Sequence, residues 1–175
     1  MARARVLVVY YSRDGHARQV AGEVAAALGA DLEEIRDPAD RTGMLGYLRC
    51  AAEALLGASA EIERPAHDPG GYELVVVGTP VWYAAVSSPV RTYLWMERER
   101  LPRVAFFLAH GGFGSERVLA QMTALAGKRP AARLVLRQRE IEDGAQGGKV
   151  ARFAKDVEGA LRGAAARSRR AGRAR

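Results

Sequence analysis

The chain has 175 residues, of which 49% are hydrophobic and 27% charged, values that are ordinary for a single globular domain. Its apolar runs are far shorter than the roughly 20 residues of a membrane-spanning helix, and the run after Arg5 is too short for a secretory signal. We therefore expect a cytoplasmic protein with no membrane span. Cys50 is the only cysteine, which excludes an intrachain disulfide and a cysteine metal cluster. Its amphipathic helical surroundings predict a thiol packed in the core.

The formal net charge of +7 is concentrated at the C-terminus, because the last fourteen residues contain six arginines and no acid. The preceding 161 residues balance to a net charge of +1. The end of the chain also has no apolar periodicity, so we expect one domain over 1–162 and a basic, disordered tail over 163–175. Such a tail touches nucleic acid only nonspecifically, and we expect no specific nucleic-acid partner.

Short apolar runs alternate with helical patterns along the chain. The apolar runs predict strands at 6–10, 32–35, 74–77, 104–108 and 134–136. Helical spacing of apolar residues predicts helices around 20–28, 89–96, 116–125 and 148–161. Strands that alternate with helices indicate βαβ units, right-handed crossovers and a parallel sheet.

The connection between the second and third predicted strands, at 36–72, is unusually long. It contains its own helical stripe, formed by Met44, Leu45, Leu48, Ala51, Ala52 and Leu55. A segment rich in proline, histidine, aspartate and glycine follows at 65–71. A connection of this length is usually functional or covers a face, and the sequence leaves open whether it forms a lid, a substrate-contacting surface or a dimer contact.

The first strand is followed by a glycine-bearing loop, Tyr11-Ser-Arg-Asp-Gly-His-Ala17. At a strand-to-helix junction, successive backbone N–H groups and the helix dipole make an anion site. Gly15 permits a tight turn, Ser12 offers a hydroxyl, and Arg13 and Arg18 add positive charge. The spacing matches neither a Walker loop nor a dinucleotide fingerprint, so a mononucleotide phosphate suits it better.

Asp14 complicates this interpretation, because its carboxylate would repel a phosphate. The alternative is that Asp14 caps the first helix and uses donors that a phosphate would otherwise bind. His16 has two interpretations as well, since it either contacts the anion or lies on the surface of the first helical turn.

Two further loops follow the third and fourth predicted strands. In Gly78-Thr-Pro-Val-Trp-Tyr83, two exposed aromatic side chains would cover a flat group; the alternative is that Trp82 packs into the core or a subunit interface. In His110-Gly-Gly-Phe-Gly114, the glycines permit close backbone approach to a planar ligand, unless the loop is a plain turn. Neighbouring parallel strands would bring all three loops to one sheet edge, where such sheets bind ligands.

The sequence gives little support for metal binding or for serine hydrolase chemistry. No second histidine lies at metal-ligand spacing from His16, His67 or His110, so we expect no metal site. Ser87 and Ser88 lack the Gly-x-Ser-x-Gly elbow that activates a hydrolase serine.

Together the three loops resemble those of the flavodoxin-like FMN-binding family, over about residues 4–162. Ser12 and Gly15 match that family's phosphate loop, whereas Asp14 and Ala17 stand where hydroxyls are usual. The Arg-Asp-Gly variant also resembles the loop of menaquinone-dependent protoporphyrinogen oxidases of the same superfamily. The run Gly-Thr-Pro-Val-Trp and the following Ser88-Pro-Val-Arg-Thr-Tyr-Leu94 look like the isoalloxazine-side loop and next helix of flavodoxin-related reductases.

The resemblance implies an α/β three-layer sandwich, with a five-stranded parallel sheet of order 2-1-3-4-5 and helices on both faces. It implies FMN as the cofactor, with the phosphate on the first loop and the ring between the other two. The implied cofactor-binding residues are Ser12, Arg13, Asp14, Gly15, His16, Ala17, Thr79, Pro80, Val81, Trp82, Tyr83, His110, Gly111, Gly112, Phe113 and Gly114.

The leading functional hypothesis is an FMN-dependent oxidoreductase. It would pass electrons from NAD(P)H or a reductase protein to a small acceptor such as a quinone, and no catalytic side chain is assigned. The alternatives are a flavodoxin-type electron carrier and a binding module of the same fold that has lost FMN through Asp14 and Ala17. The oligomeric state, including a homodimer, stays open.

Overall fold

The computed structural model of the chain describes residues 5–38, 45–46, 48, 52–53 and 56–173. Within that part, five strands form a parallel sheet: β1 (Val6–Tyr10), β2 (Asp31–Glu34), β3 (Leu74–Trp82), β5 (Arg103–His110) and β6 (Arg133–Arg137). The two-residue strand β4 (Ala85–Val86) pairs antiparallel with the end of β3. The parallel strands lie in the order β2-β1-β3-β5-β6, so the expected order 2-1-3-4-5 of the parallel strands is confirmed.

Helices cover both faces of this sheet. They are α1 (His16–Leu28), α2 (Ser88–Glu97), α3 (Ser115–Ala126), α4 (Gln138–Glu142) and α5 (Gly147–Arg173), with a short 3₁₀ turn at Pro69–Gly71. The apolar faces of α1 and α5 form one core with the sheet, and those of α2 and α3 form a second core on its other face. Because β1 is buried on both faces, its five residues are all apolar. The three-layer architecture is therefore confirmed.

The strand β3 is longer than its apolar run. Its last residues, Thr79–Trp82, are extended strand, whereas the sequence predicts a strand at 74–77 followed by a loop at 78–83. The physical reason is that β1 ends opposite Gly78, so the missing N–H of Pro80 leaves no sheet partner unpaired on that side. Beyond this point β3 pairs with β5 through Pro80 and Ala109, which brings the carboxyl ends of β3 and β5 to the same edge.

The C-terminal segment also differs from the prediction. Helix α5 continues to Arg173, so residues 163–173 are helical where the composition predicts a disordered tail. Alanine and arginine are among the strongest helix formers, and buried Ala164 extends the packed face of the helix beyond Leu161. None of the described helices is long and apolar enough to cross a membrane.

The long connection between β2 and β3 lies against α2. Ser88 donates a hydrogen bond from its hydroxyl to the carboxylate of Glu53, and the N–H of Ala60 donates to Thr92 Oγ1 at 3.0 Å. Of the predicted helical stripe, Leu45, Leu48 and Ala52 are helical, and Met44, Ala51 and Leu55, together with Cys50, lie outside the described residues. Within the described residues, no group of three or more histidine, cysteine, aspartate or glutamate side chains could hold a metal ion.

Candidate functional site

The three predicted loops meet in one cleft of about 350 Å³ at the carboxyl edge of the sheet. Its volume falls in the range of roughly 300–1,000 Å³ that is usual for small-molecule sites. Nine of the predicted residues line it: Arg13, Asp14, Pro80, Val81, Trp82, Tyr83, Gly111, Gly112 and Phe113. The other predicted residues do not line it and lie next to it along the chain: Ser12, Gly15, His16, Ala17, Thr79, His110 and Gly114.

The first loop presents backbone donors at the start of α1. Gly15 precedes the helix with φ +95°, a left-handed conformation that favours glycine, and the space where its Cβ would stand is open. Its N–H donates to Ser12 Oγ at 3.1 Å, which leaves the Ser12 hydroxyl hydrogen for another acceptor. The next N–H groups belong to the first helical turn and have no acceptor within the helix. The arrangement is suited to an anion.

Asp14 is engaged by protein groups on both carboxylate oxygens. Gln138 donates its amide Nε2–H to Oδ2 at 3.2 Å, and the His16 Nδ1 lies 3.1 Å from Oδ1. The backbone N–H of His16 also donates to Oδ1, at 3.4 Å. The residue that caps the helix is Gly15, so Asp14 accepts one first-turn N–H without being the cap. The other ring nitrogen of His16, Nε2, lies 3.2 Å from Glu142 Oε1, so the imidazole lies between two acids.

The two arginines of the first loop and helix have different surroundings. Arg13 lines the cleft; its Cζ lies 6.0 Å from the centre of the Trp82 ring, and its Nη2 lies 4.0 Å from Asp14 Oδ2. Arg18 pairs with Glu34 through an Nη2–Oε1 contact of 2.6 Å. Of the two, Arg13 is therefore the cation that a ligand in the cleft would meet.

The end of β3 turns back through a two-residue hairpin at Tyr83 and Ala84, with φ values of 48° and 57°. Both residues are left-handed, as in the hairpin turns that favour asparagine and glycine. A Cβ on Gly114, which has φ +87°, would overlap the side chain of Ala84. Gly114 is therefore required by the packing of the hairpin, and a Cβ on Gly78 would likewise overlap the Phe107 ring.

The aromatic residues at this edge differ in exposure. Trp82 is only 5% exposed and packs edge-to-face on Tyr11, with ring centres 5.6 Å apart. The expectation of an exposed Trp82 is wrong, because this ring joins the core between the first and second loops. Tyr83 and Phe113 are 41% and 72% exposed, and they present the accessible rings of the cleft.

Two other predicted residues are buried at the ends of the strands. The Thr79 hydroxyl lies 2.9 Å from Ser87 Oγ and holds the end of β3 to the start of α2. His110 is 7% exposed, and its Nδ1 has no hydrogen-bond partner within the described part of the chain. Burial, with a further contribution from Arg137, lowers the pKa of His110, so its imidazole is neutral at pH 7.

The cleft includes three residues that the motifs did not indicate: Ala84, Ala109 and Gln138. Gln138 follows β6 directly, as the first residue of α4. Gln138 follows the fifth parallel strand at the edge where the other loops open, and this position could have indicated that it lines the cleft.

A second cleft, of about 380 Å³, lies on the flank of β2. It is lined by residues of the long connection at 63–67, by the end of β2 and by Tyr93. His67 Nδ1 lies 2.8 Å from Glu33 Oε2 there. None of the predicted cofactor-binding residues lines this cleft, so it is separate from the site of the three loops.

The order of the parallel strands and the cleft at their carboxyl edge define an α/β protein of the flavodoxin-like class. The chain belongs to the flavodoxin family, since the family model described as Flavodoxin matches residues 5–127. No relative was found among curated protein sequences.

Several solved structures share the fold. The flavoprotein from Lactobacillus acidophilus, solved in complex with FMN, is 20% identical, with a TM-score of 0.66, over 80% of this chain and 97% of that one. A flavodoxin, WrbA-like protein from Agrobacterium tumefaciens is 16% identical, with a TM-score of 0.59, over 91% and 98%. The Trp repressor binding protein from Bacillus subtilis is 11% identical, with a TM-score of 0.56, over 85% and 98%.

Proposed function

We propose that this protein is an FMN-dependent oxidoreductase, which takes electrons from NAD(P)H or a reductase protein and passes them to a small acceptor such as a quinone. The observation that carries the proposal is the convergence of the three loops on one cleft in a chain of the flavodoxin family. The FMN complex of the Lactobacillus acidophilus flavoprotein, which has the same fold, supports the choice of cofactor.

The residues at the phosphate end of the cleft fit the cofactor. The left-handed Gly15 and the first turn of α1 offer backbone N–H groups, and the Ser12 hydroxyl can donate to a phosphate oxygen. Arg13 adds a positive charge from the lining of the cleft. Phosphate binding through backbone N–H groups at a helix start is a general property of such turns.

The other end of the cleft fits a flat ring. A Cβ on Gly112 would meet no atom within 4 Å, so the backbone there is open to close approach by a ligand. Tyr83 and Phe113 expose ring surface on which a planar group can stack, and offset stacking adds roughly 0.5–1.5 kcal/mol beyond area burial. When bound, FMN supplies the redox chemistry. The protein residues bind it, orient its ring and exclude water from one face.

The first experiment measures whether the full chain binds FMN. The purified protein is examined for flavin absorbance and then titrated with FMN, while the quenching of flavin fluorescence is followed. We expect binding at micromolar concentrations or tighter. Absence of binding at these concentrations would overturn the proposal and favour the binding module that has lost FMN.

The second experiment separates an enzyme from a carrier. The FMN-loaded protein is mixed with NADPH and a soluble quinone, and the oxidation of NADPH is followed by absorbance. Multiple turnovers per protein support the oxidoreductase. Reduction of the bound flavin by NADPH or by a reductase protein, without multiple turnovers of the quinone, contradicts the oxidoreductase and assigns the carrier.

A further inference from the structure

The short helix α4 is joined to the first loop by two side-chain contacts. Gln138 Nε2 donates to Asp14 Oδ2 at 3.2 Å, and Glu142 Oε1 lies 3.2 Å from His16 Nε2. The start of α4 is fixed in turn, because the N–H of Arg137 donates to Glu140 Oε2 at 2.8 Å. Gln138 also lines the cleft beside Gly111. This residue therefore touches both the cleft and the acid of the phosphate loop.

Asp14 would oppose a phosphate in two ways if it were unrestrained. Its negative charge would repel the ligand, and its oxygens would compete for the first-turn N–H groups that bind anions. In the structure Oδ2 accepts a hydrogen bond from Gln138 and Oδ1 accepts the backbone N–H of His16, so Asp14 uses one first-turn N–H and the following ones stay open to a ligand. The amide of Gln138 is uncharged, so it holds the carboxylate without adding a charge of its own to the cleft.

We propose that Gln138 is a positioning residue for the phosphate end of the cleft. By holding Asp14 Oδ2, it keeps this oxygen away from the first-turn N–H groups beyond that of His16, which Asp14 Oδ1 already accepts, and so gives the site its preference for FMN over riboflavin, which lacks the phosphate. The inference rests on the proposed function, since it concerns the same cofactor. It adds a residue from the β6–α4 junction that none of the three loops contains.

The test compares two flavins on variants of the full chain. Gln138→Leu keeps the approximate size of the side chain and removes the amide. We expect the Kd for FMN to rise about fivefold, as for the loss of one ordinary hydrogen bond, and the Kd for riboflavin to change less than twofold. Gln138→Glu adds a second acid beside Asp14 and is expected to raise the Kd for FMN further. Both Kd values are measured by fluorescence titration.

The rescue variant separates positioning from general structure. In the double variant Asp14→Asn with Gln138→Leu there is no carboxylate to hold, so FMN affinity is expected to return to within about twofold of the starting protein. The matched control is Gln19→Leu, because Gln19 is an exposed glutamine on α1 that contacts only Glu23 among its described side-chain partners. It should change neither affinity.

Three outcomes would overturn the inference: equal losses for FMN and riboflavin in Gln138→Leu, no recovery in the double variant, or a starting protein that binds both flavins equally. Failure of the proposed function has a different signature, because the starting protein then binds neither flavin. Thermal unfolding of each variant is measured first. If Gln138→Leu does not fold, Gln138→Ala with and without Asp14→Asn gives the same comparison.

Discussion

The two ends of the cleft are built by different means. At the phosphate end, the position of the loop depends on polar contacts, since Asp14 accepts hydrogen bonds from the Gln138 side chain and the His16 backbone N–H. At the ring end, the position of the loops depends on backbone conformation and close packing, since the left-handed Tyr83–Ala84 turn lies directly against Gly114. The first end should therefore respond to changes of charge and hydrogen bonding, and the second to changes of side-chain volume.

Because of this difference, substitutions at the phosphate end should affect the affinity for FMN, and substitutions at the ring end should affect the stability of the fold. The polar contacts at the phosphate end are partly exposed, and exposed ion pairs contribute little to stability. The packing at the ring end is continuous with the core through Trp82, where a change in volume costs stability directly. Substitutions at the two ends should thus be distinguishable by comparing the free energy of unfolding with the affinity for FMN.

The largest expected effect comes from Gly114→Ala. The added methyl group would overlap Ala84, and alanine is strained at φ +87°, so we expect a loss of about 2–4 kcal/mol in the free energy of unfolding. The measurement is urea denaturation followed by circular dichroism. Gly112→Ala is the matched control, because its methyl meets no atom within 4 Å; its stability should change by less than about 0.5 kcal/mol. Equal stability of the two variants would contradict the packing at the ring end.

A smaller effect, on binding, is expected from Arg13→Gln. Removal of the cation that lines the cleft should weaken FMN about fivefold at low salt, and the difference should shrink as salt screens the interaction. Arg18→Gln is the comparison, since Arg18 is paired with Glu34. It should change the Kd for FMN less than twofold and the stability by less than about 0.5 kcal/mol. If Arg18→Gln raises the Kd for FMN as much as Arg13→Gln does, the conclusion that only Arg13 faces a ligand in the cleft is wrong.

The smallest expected effect is a pH dependence at His110. Burial, helped by Arg137, lowers its pKa in the folded protein below the ordinary value of 6.5. As pH falls from 6.5 through the folded pKa, the unfolded state binds more protons, so stability decreases. The pKa of Glu140 is lowered chiefly by Lys149, so the stability that Glu140 contributes is lost only at more acidic pH. His110→Gln should flatten the dependence of the free energy of unfolding on pH just below pH 6.5, as measured by denaturation at a series of pH values. An unchanged dependence would show that other groups cause it.

Much of the architecture follows from the sequence because apolar runs and helical periods are signals of local burial. The five parallel strands, the helices α1, α2, α3 and α5 and the sheet edge of the three loops are indicated this way, with the strand order implied by the family resemblance. The short elements β4 and α4 have no such signal. The extension of β3 through Pro80 was not indicated either, because the tolerance for proline depends on where the neighbouring strand β1 ends. The helical 163–173 segment was missed because high helix propensity there carries no apolar period.

The site was harder to predict than the fold. A glycine in a sequence does not show whether the missing side chain makes room for a ligand or for a neighbouring side chain. Gly78 and Gly114 therefore resemble ligand-facing glycines, although they make room for Phe107 and Ala84. Trp82 was expected at the surface because aromatic residues after a strand fit that role, yet Tyr11 offers it a buried partner. The surroundings of Asp14 depend on Gln138, and a contact between such distant positions leaves no local pattern.

The contact between Gln138 and Asp14 joins positions that are 124 residues apart, whereas the hairpin at the ring end is made by neighbours in the chain. A growing polypeptide acquires every glycine loop of the cleft once Gly114 has been synthesised. The residue that holds Asp14 is added later, with the β6–α4 junction. In order of synthesis, the phosphate end is the part of the cleft that the ribosome completes last.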